Sequence, residues 1–166
     1  MRKVILQVAV TLDGFIEGPQ GEYDWCLPPE EHGMKEFLKR FDSLFVGRKS
    51  FELIGDKAFG NKKQYVFSNT LKKPSGESEI IGGDIGPQVK RIKAMKGKDI
   101  WLFGGASLIT SLINEGLIDE LSLAVHPILL GSGKLLFQGI TGRVKTKLID
   151  SKPYPSGLIM LNYDVV

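Results

Sequence analysis

The stretch Ile100-Trp101-Leu102-Phe103-Gly104-Gly105-Ala106-Ser107-Leu108 decides how this chain folds, because an apolar run ends there in two adjacent glycines. A helical pattern follows, with apolar residues at spacings of one, three and four: Leu108, Ile109, Leu112 and Ile113. The pattern predicts a buried strand that runs directly into a helix. Adjacent glycines allow a sharp bend and a close approach, and the N–H groups at the helix start favour an anion. A tight strand–helix turn without a ligand is the alternative.

The composition is that of an ordinary soluble globular protein, with 42% hydrophobic and 25% charged residues. A chain of 166 residues suits one domain, and we expect residues 1–166 to form it. The net charge is only +3, and the lysines are scattered rather than arranged in a basic stripe with aromatic residues between them. A nucleic-acid partner is therefore not expected.

Cysteine usage and the apolar runs bear on the compartment in which the protein works. Cys26 is the single cysteine, so no internal disulfide can form and a reducing compartment is favoured. The apolar run at residues 4–10 is too short and too interrupted for a signal peptide. Because no run is long enough to span a membrane, we expect a cytoplasmic protein without a membrane partner.

Strand and helix patterns alternate over the first two-thirds of the chain. Strands are predicted at residues 4–10, 44–46, 64–67, 79–81 and 100–103, and helices at 34–41, 48–54, 87–96 and from 108 to about 116. Beyond Ile118 the pattern is mostly β, with strands at 120–126, 134–137, 144–151 and 158–165 and a turn at 155–157. Alternation favours parallel pairing through right-handed crossovers. The predicted fold class is α/β: a mixed, mainly parallel central sheet flanked by helices, with a β-rich C-terminal third.

The carboxyl ends of parallel strands meet at one edge of a sheet, where ligands bind. The loops expected there span residues 11–16, 47–50, 68–70 and 104–107 and carry glycines, hydroxyl groups and two cations. In Gly47-Arg48-Lys49-Ser50 the cations begin a helix, which costs roughly 0.3–1 kcal/mol unless an anion such as phosphate neutralises them. An exposed basic turn is the alternative. Ser68-Asn69-Thr70 offers short donors, although such a triplet also commonly ends a strand.

Two acidic residues are candidates for catalysis. Glu30 lies near Trp25, where an aromatic wall favours the protonated acid and so a proton donor. An acid in the first turn of a helix is, however, favoured by the helix dipole regardless of function. Asp13, next to Gly14, is the second candidate, and a turn role is its alternative.

Several other motifs are set aside. His32 and His126 lack metal-ligand spacing, so neither a metal site nor a Ser–His–Asp arrangement is expected. The segment Gly131-Ser132-Gly133-Lys134 looks like the end of a P-loop, but Leu135 replaces the required Ser or Thr and Ile128 replaces the first glycine. The chain also has no GxGxxG dinucleotide fingerprint.

In order and spacing, these segments resemble the dihydrofolate reductase-like superfamily, and within it the riboflavin-biosynthesis reductase (RibD C-terminal) family. The likeness covers nearly the whole chain. It rests on Thr11-Leu12-Asp13-Gly14, Val46-Gly47-Arg48-Lys49-Ser50-Phe51-Glu52, Phe67-Ser68-Asn69, Phe103-Gly104-Gly105-Ala106, Leu117-Ile118-Asp119-Glu120-Leu121 and Pro127-Ile128-Leu129-Leu130-Gly131.

The resemblance implies NADPH as cofactor, with Arg48 and Lys49 selecting it over NADH through the 2′-phosphate. It also implies a strained or cis peptide at the double glycine and a homodimer formed through the C-terminal third. The implied cofactor-binding residues are Ala9, Ile16, Gly47, Arg48, Lys49, Ser50, Ser68, Asn69, Gly104, Gly105, Ala106 and Ser107.

Two segments bear on the substrate. Trp25-Cys26-Leu27-Pro28-Pro29-Glu30 is similar to the segment of true dihydrofolate reductases whose acid binds the pterin. Phe15, however, stands where riboflavin-type reductases commonly have a lysine. A single cysteine also excludes a fused zinc deaminase, which needs a cysteine pair.

We therefore predict an NADPH-dependent reductase that transfers a hydride to a small heterocyclic or ribosyl-carbonyl substrate. The two candidate substrates are a riboflavin-pathway pyrimidine and a pteridine-like compound. Glu30 or Asp13 would supply a proton or orient the substrate. Two alternatives stay open: a non-catalytic nucleotide-binding or interaction domain of the same fold, and a structural protein whose glycine loops bind nothing.

Overall fold

The computed structural model of the protein describes residues 1–72 and 76–166. The strands are β1 (Val4–Thr11), β2 (Phe15–Glu17), β3 (Phe41–Gly47), β4 (Lys63–Phe67), β5 (Glu79–Ile81), β6 (Asp99–Gly104), β7 (Glu120–His126), β8 (Lys134–Leu135), β9 (Thr146–Pro153) and β10 (Ile159–Val165). The helices are α1 (Met34–Leu38), α2 (Arg48–Ile54), α3 (Ile85–Ala94) and α4 (Ala106–Asn114), and a 3-10 turn, Pro29–His32, precedes α1.

Eight strands form one sheet in the order β5-β4-β3-β6-β1-β7-β10-β9. The first six strands in that order pair in parallel, whereas β10 and β9 complete the sheet in antiparallel pairing. A separate antiparallel pair joins β2 to β8. The predicted fold class is therefore confirmed, including the β-rich C-terminal third.

The helices cover both faces of the sheet and pack apolar side chains against it. Val89 of α3 and Ile109 of α4 pack with Leu6 of β1 in the larger core cluster. On the opposite face, Phe37 of α1 packs with Ile5 of β1. The crossover from β1 to β3, through α1, runs towards the β5 edge of the sheet, whereas the crossovers through α3 and α4 run back towards the β9 edge. Crossovers in opposite directions thus use opposite faces, as in a doubly wound sheet.

Phe41 is the clearest departure from the predicted elements. The spacing of apolar residues places it at the end of the first helix, but α1 ends at Leu38 and Phe41 begins β3. Its ring is 1% exposed and lies 4.6 Å from the ring of Phe37. One buried aromatic residue fits a helical or a strand period equally well, so local spacing could not assign it.

Other boundaries shift by a few residues. The helix predicted at 87–96 begins earlier, at Ile85, because the Asp84 carboxylate accepts a hydrogen bond from the Gly86 N–H at 3.2 Å and caps it. The strand predicted at 144–151 lies at Thr146–Pro153, and the strand predicted at 134–137 is reduced to Lys134–Leu135. The turn at 155–157 is confirmed, with Gly157 N–H donating to the Tyr154 carbonyl at 2.9 Å.

β1 and β6 separate towards their carboxyl ends, and this opening positions the site. They pair only from Val4↔Ile100 to Leu6↔Leu102, whereas β1 stays paired with β7 as far as Thr11↔His126. After β1 the chain crosses towards β3, and after β6 it crosses in the opposite direction, towards β7. The opening is therefore the topological switch point of the sheet, the place where α/β proteins bind their ligands.

Candidate functional site

A cleft of about 1220 Å³ runs along the carboxyl ends of β3, β4 and β6. Every residue predicted to bind the cofactor lines it, except Ala9 and Gly104. The lining comes from β2, the starts of α2 and α4, and the end of β4: Ile16, Gly47, Arg48, Lys49, Ser50, Ser68, Asn69, Gly105, Ala106 and Ser107. The glycine joints, hydroxyl groups and cations that the sequence predicted to share an edge are thus brought together.

The double glycine forms the turn between β6 and α4. Gly104 and Gly105 have φ angles of +146° and +101°, a backbone conformation that favours glycine. No peptide bond among residues 1–72 and 76–166 is cis, so the cis peptide expected at the double glycine is not found there. Gly105 also precedes α4 without any side-chain cap, which leaves the first N–H groups of this helix open to the cleft.

The two cations at the start of α2 are both exposed but differ in their partners. Arg48 Nη1 lies 3.2 Å from Glu52 Oε1, one helical turn away. Lys49 makes no ion pair with any residue that the structure describes. Lys49 is therefore the freer of the two cations to meet an anion in the cleft.

The loop after β4 holds its polar side chains in place through backbone contacts. Ser68 Oγ accepts hydrogen bonds from the N–H groups of Thr70 and Leu71 at 3.2 and 3.0 Å. Asn69 Oδ1 accepts one from the Gly83 N–H at 2.7 Å. The Ser68 hydroxyl also lies 3.4 Å from Thr70 Oγ1, whereas the Asn69 amino group remains a donor available to a ligand within the described residues.

An ion pair at the cleft was not predicted from the sequence. Lys134 Nζ lies 3.3 Å from Glu17 Oε2, and both residues line the cleft. They meet because β8 pairs with β2, with Lys134 opposite Glu17. The segment 131–134 is not a P-loop, yet its lysine reaches the same cleft by this pairing.

A second cavity, of about 360 Å³, opens beside the gap between β1 and β6. Ala9 lines this cavity rather than the cleft. Its walls are mostly apolar and include Phe59, Trp101, Phe103, Leu158 and Met160. Phe103 belongs to this cavity and Gly105 to the cleft, so the Phe103-Gly104-Gly105 segment separates the two spaces. None of the described residues that line the cavity is an aspartate, glutamate, lysine or arginine.

His126 is the main polar group of this cavity. Its ring is 3% exposed, and Nδ1 lies 2.8 Å from the carbonyl oxygen of Ala124. Nε2 is buried without a hydrogen-bond partner among the described residues. Burial lowers the pKa of His126 below its ordinary 6.5, although the Ala124 carbonyl opposes that shift. No local pattern in the sequence indicates this placement of His126, because it depends on the position of β7 beside β1.

The two predicted catalytic acids line neither cavity. Glu30 lies exposed in the 3-10 turn, which is consistent with the dipole alternative. Asp13 instead accepts hydrogen bonds from the N–H groups of Gly131 and Leu130 at 2.7 and 3.2 Å. The Thr11 hydroxyl, together with these N–H groups, lowers the pKa of Asp13 below 3.8. The observed contacts of Asp13 therefore anchor the 128–131 loop.

Neither a metal-binding cluster nor a membrane span is found within the described residues. Over residues 1–72 and 76–166, no group of three or more His, Cys, Asp or Glu residues is placed to hold a metal ion. His32 Nε2 instead lies 3.0 Å from Ser156 Oγ. None of the helices described has the length and apolar character needed to cross a membrane.

Comparison with known proteins decides the family. A sequence model of the RibD C-terminal domain matches residues 2–160. The chain belongs to the RibD C-terminal domain family.

This RibD C-terminal domain protein is also similar to individual bacterial proteins. It is 42% identical to the YyaP protein of Bacillus subtilis strain 168, over 98% of this chain and 94% of that protein. A Shewanella sp. PV-4 protein assigned to riboflavin biosynthesis superposes with a TM-score of 0.86 at 26% identity, covering 99% of both chains.

The dihydrofolate reductase-like fold is shown by a more distant structure. Dihydrofolate reductase from Enterococcus faecalis, solved with NADP(H) bound, has a TM-score of 0.77 at 18% identity, over 98% of this chain and 96% of that one. The predicted resemblance is thus confirmed. The family and the fold are those of reductases, which supports an oxidoreductase in general terms.

Proposed function

We propose that this protein is an NADPH-dependent reductase that transfers a hydride to a small substrate held in the cavity beside the gap. The observation that carries the proposal is the opening between β1 and β6, which has the cleft on one side and the cavity on the other. A long cleft rich in hydrogen-bond donors suits a dinucleotide, and a small apolar cavity suits a ring. The NADP(H) bound by the Enterococcus faecalis enzyme of the same fold supports this choice of cofactor.

The residues that would hold the cofactor follow from the cleft. Gly47 and Gly105 leave bare backbone between the ends of β3 and β6, where a pyrophosphate could approach closely. The start of α4 offers N–H groups to phosphate oxygens, and Lys49 and Arg48 offer charge to a 2′-phosphate. When bound, NADPH supplies the hydride, and the chain orients it against the acceptor.

The proton that completes such a reduction needs a source, and the cavity lining includes no carboxylic acid among the described residues. Glu30 is exposed and outside the cavity, and Asp13 anchors a loop. We therefore assign the proton to solvent. This feature also favours one rival function, a domain of the same fold that binds the dinucleotide without turning it over.

The experiment that tests the proposal has two stages. NADPH should raise the melting temperature of the purified protein more than NADH does, since a ligand that binds only the folded state stabilises it. Candidate acceptors, including dihydrofolate and the riboflavin-pathway pyrimidine, are then screened for NADPH oxidation. Equal shifts with both cofactors would contradict the phosphate contacts, and binding without oxidation of NADPH by any acceptor would favour the non-catalytic domain.

We also propose a homodimer that forms through β9. This strand lies at the edge of the sheet, and all of its residues are exposed, with Leu148 and Ile149 each 51% exposed. An exposed edge strand with apolar side chains is a ready template for pairing with another chain. Light scattering should give the mass of a dimer, and Ile149→Lys should shift that mass to the monomer. A monomeric parent protein would refute this proposal.

A further inference from the structure

The orientation of the His126 ring can be read from its hydrogen bond. A carbonyl oxygen only accepts, so the contact with Ala124 at 2.8 Å requires the proton to be on Nδ1. Nε2 then carries a lone pair. This lone pair is buried and has no partner within the part of the chain that is described. Because a buried acceptor without a donor costs free energy, its persistence calls for an explanation.

The ring is held too firmly to find another partner by turning. Trp25 packs against it edge to face, with the ring centroids 5.2 Å apart and the planes at 87°. The backbone of His126 is fixed by its register opposite Thr11 of β1. Rotation would also break the bond to Ala124. Since His126 lines the cavity, a molecule bound there could supply the donor that Nε2 lacks among the described residues.

The surroundings of Nε2 define the chemistry of that molecule. The cavity lining is apolar apart from the Gln7 amide, the Cys26 thiol and the imidazole rings of His126 and His32, and His32 Nε2 already lies 3.0 Å from Ser156 Oγ. An ionised phosphate or carboxylate inside it would lose its hydration without meeting a lysine or an arginine among the described lining residues. Burial lowers the pKa of His126, which keeps the ring neutral near pH 7 and preserves Nε2 as an acceptor.

We propose that His126 determines substrate specificity by accepting a hydrogen bond at Nε2 from an N–H or O–H group of an uncharged planar ring. The inference rests on the proposed function in one respect, namely that this ring is the acceptor of the hydride. His126 thus takes the orienting role that the sequence assigned to an acid. The charged part of a phosphorylated substrate would have to lie outside this cavity.

The test uses pteridine-2,4-dione (lumazine) as a neutral ring with N–H donors, and 1,3-dimethyllumazine as the same ring without them. Affinities are measured by calorimetry near neutral pH. Lumazine should bind about tenfold more tightly than the dimethyl compound, the ratio expected for one hydrogen bond. Cys26, which lines the same cavity, should be protected from iodoacetamide by bound lumazine, and this reports the location of binding.

Two variants assign the difference to His126. His126→Phe keeps a ring but removes the acceptor, so it should lose the preference for lumazine and bind both compounds alike. His126→Gln restores an acceptor and should recover part of the preference. Equal affinities in the parent protein, unchanged preference in His126→Phe, or no binding of either compound would each overturn the proposal.

A separate measurement distinguishes failure of the proposed role of His126 from failure of the proposed reductase function. The NADPH-induced rise in melting temperature depends on the cleft and should be the same in the parent protein and in His126→Phe. A normal NADPH shift with no lumazine preference refutes the role of His126 alone. An absent NADPH shift in the parent protein refutes the cofactor assignment, while the lumazine comparison needs no cofactor and still stands.

Discussion

The backbones of Gly47 and Gly105 are in direct contact: a Cβ atom built on Gly105 would lie 3.4 Å from the Cα of Gly47. The contact brings the end of β3 against the turn between β6 and α4. Both residues line the cleft, so part of its wall consists of main chain alone. The close approach of a ligand that the double glycine predicts therefore depends on two chain segments rather than one.

Gly47→Ala should weaken NADPH binding without unfolding the protein. Its φ and ψ of −73° and 157° suit any residue, and the new methyl group would meet Gly104 O and Gly105 Cα at 3.6 Å, an ordinary contact. We expect an almost unchanged melting temperature and about tenfold weaker NADPH binding, or roughly 1.4 kcal/mol. Gly142→Ala, which has no atom within 4 Å of the new Cβ, is the matched control. NADPH affinity equal to that of the parent would show that no ligand approaches here.

Gly105→Ala should impair both folding and binding, in contrast to the change at Gly47. At φ of +101° a side chain is strained, and the Cβ would also press on Gly47. We expect the free energy of unfolding to fall by about 1–3 kcal/mol. Urea denaturation measures this loss, and a variant as stable as the parent would contradict the backbone geometry.

Removing either cation at the start of α2 should reduce discrimination between the two cofactors. Lys49→Ala and Arg48→Ala should each lower the NADPH-to-NADH affinity ratio. The effect of Lys49→Ala should be larger, because Arg48 already forms an ion pair with Glu52. Glu52→Gln should release Arg48 and raise the ratio. Lys90→Ala removes the same charge from the exposed side of α3 and serves as the control. A uniform loss of affinity for both cofactors would refute the 2′-phosphate contact.

The parts of the site that the sequence predicts are those that depend on local order along the chain. Gly104-Gly105 and Ser68-Asn69 follow apolar strands, and the parallel arrangement alone brings such strand ends to one edge. Lys134 and Glu17 could not be placed in this way, because they meet through the pairing of β2 with β8. The role of His126 depends on the register of β7 beside β1, which leaves no local trace.

Motif similarity was least informative for the acids. The segment from Trp25 to Glu30 has the spacing of a pterin-binding motif, yet the 3-10 turn leaves Glu30 exposed. Spacing fixes the order of residues but not the rotation of a short turn relative to a cavity. Trp25 does reach the site, by packing on His126 rather than on the acid.

Asp13→Ala should loosen the loop that leads to the cleft. The carboxylate accepts hydrogen bonds from Leu130 and Gly131, so its removal leaves two N–H groups without their partner. Hydrogen exchange of residues 128–133 should become faster, and NADPH binding should weaken as Lys134 loses its position. Asp150→Ala, on the exposed strand β9, is the control for loss of a carboxylate. Unchanged exchange in this loop would argue against the anchoring role.

The stability of the protein should decrease below about pH 6.5 because of His126. Burial lowers the pKa of this residue in the folded state below its ordinary 6.5, so the unfolded chain takes up the proton first. The free energy of unfolding is therefore unaffected by His126 above pH 6.5 and falls as the pH drops below that value. Urea denaturation across this range should show a smaller decrease in His126→Phe. Equal pH dependence in the two proteins would contradict the burial argument.

Cys26 should react slowly with alkylating agents at neutral pH, although it lines the cavity. Burial, with a smaller contribution from the Asp24 charge, raises the pKa of the Cys26 thiol to about 11. Because only the thiolate reacts, the rate of alkylation by iodoacetamide should rise about tenfold per pH unit until that value is approached. Asp24→Asn should speed the reaction, and the urea-unfolded chain should behave as an ordinary thiol. Since Cys26 is the single cysteine, intact mass reports the rate directly, and a plateau already reached near pH 9 would contradict the burial of the thiol.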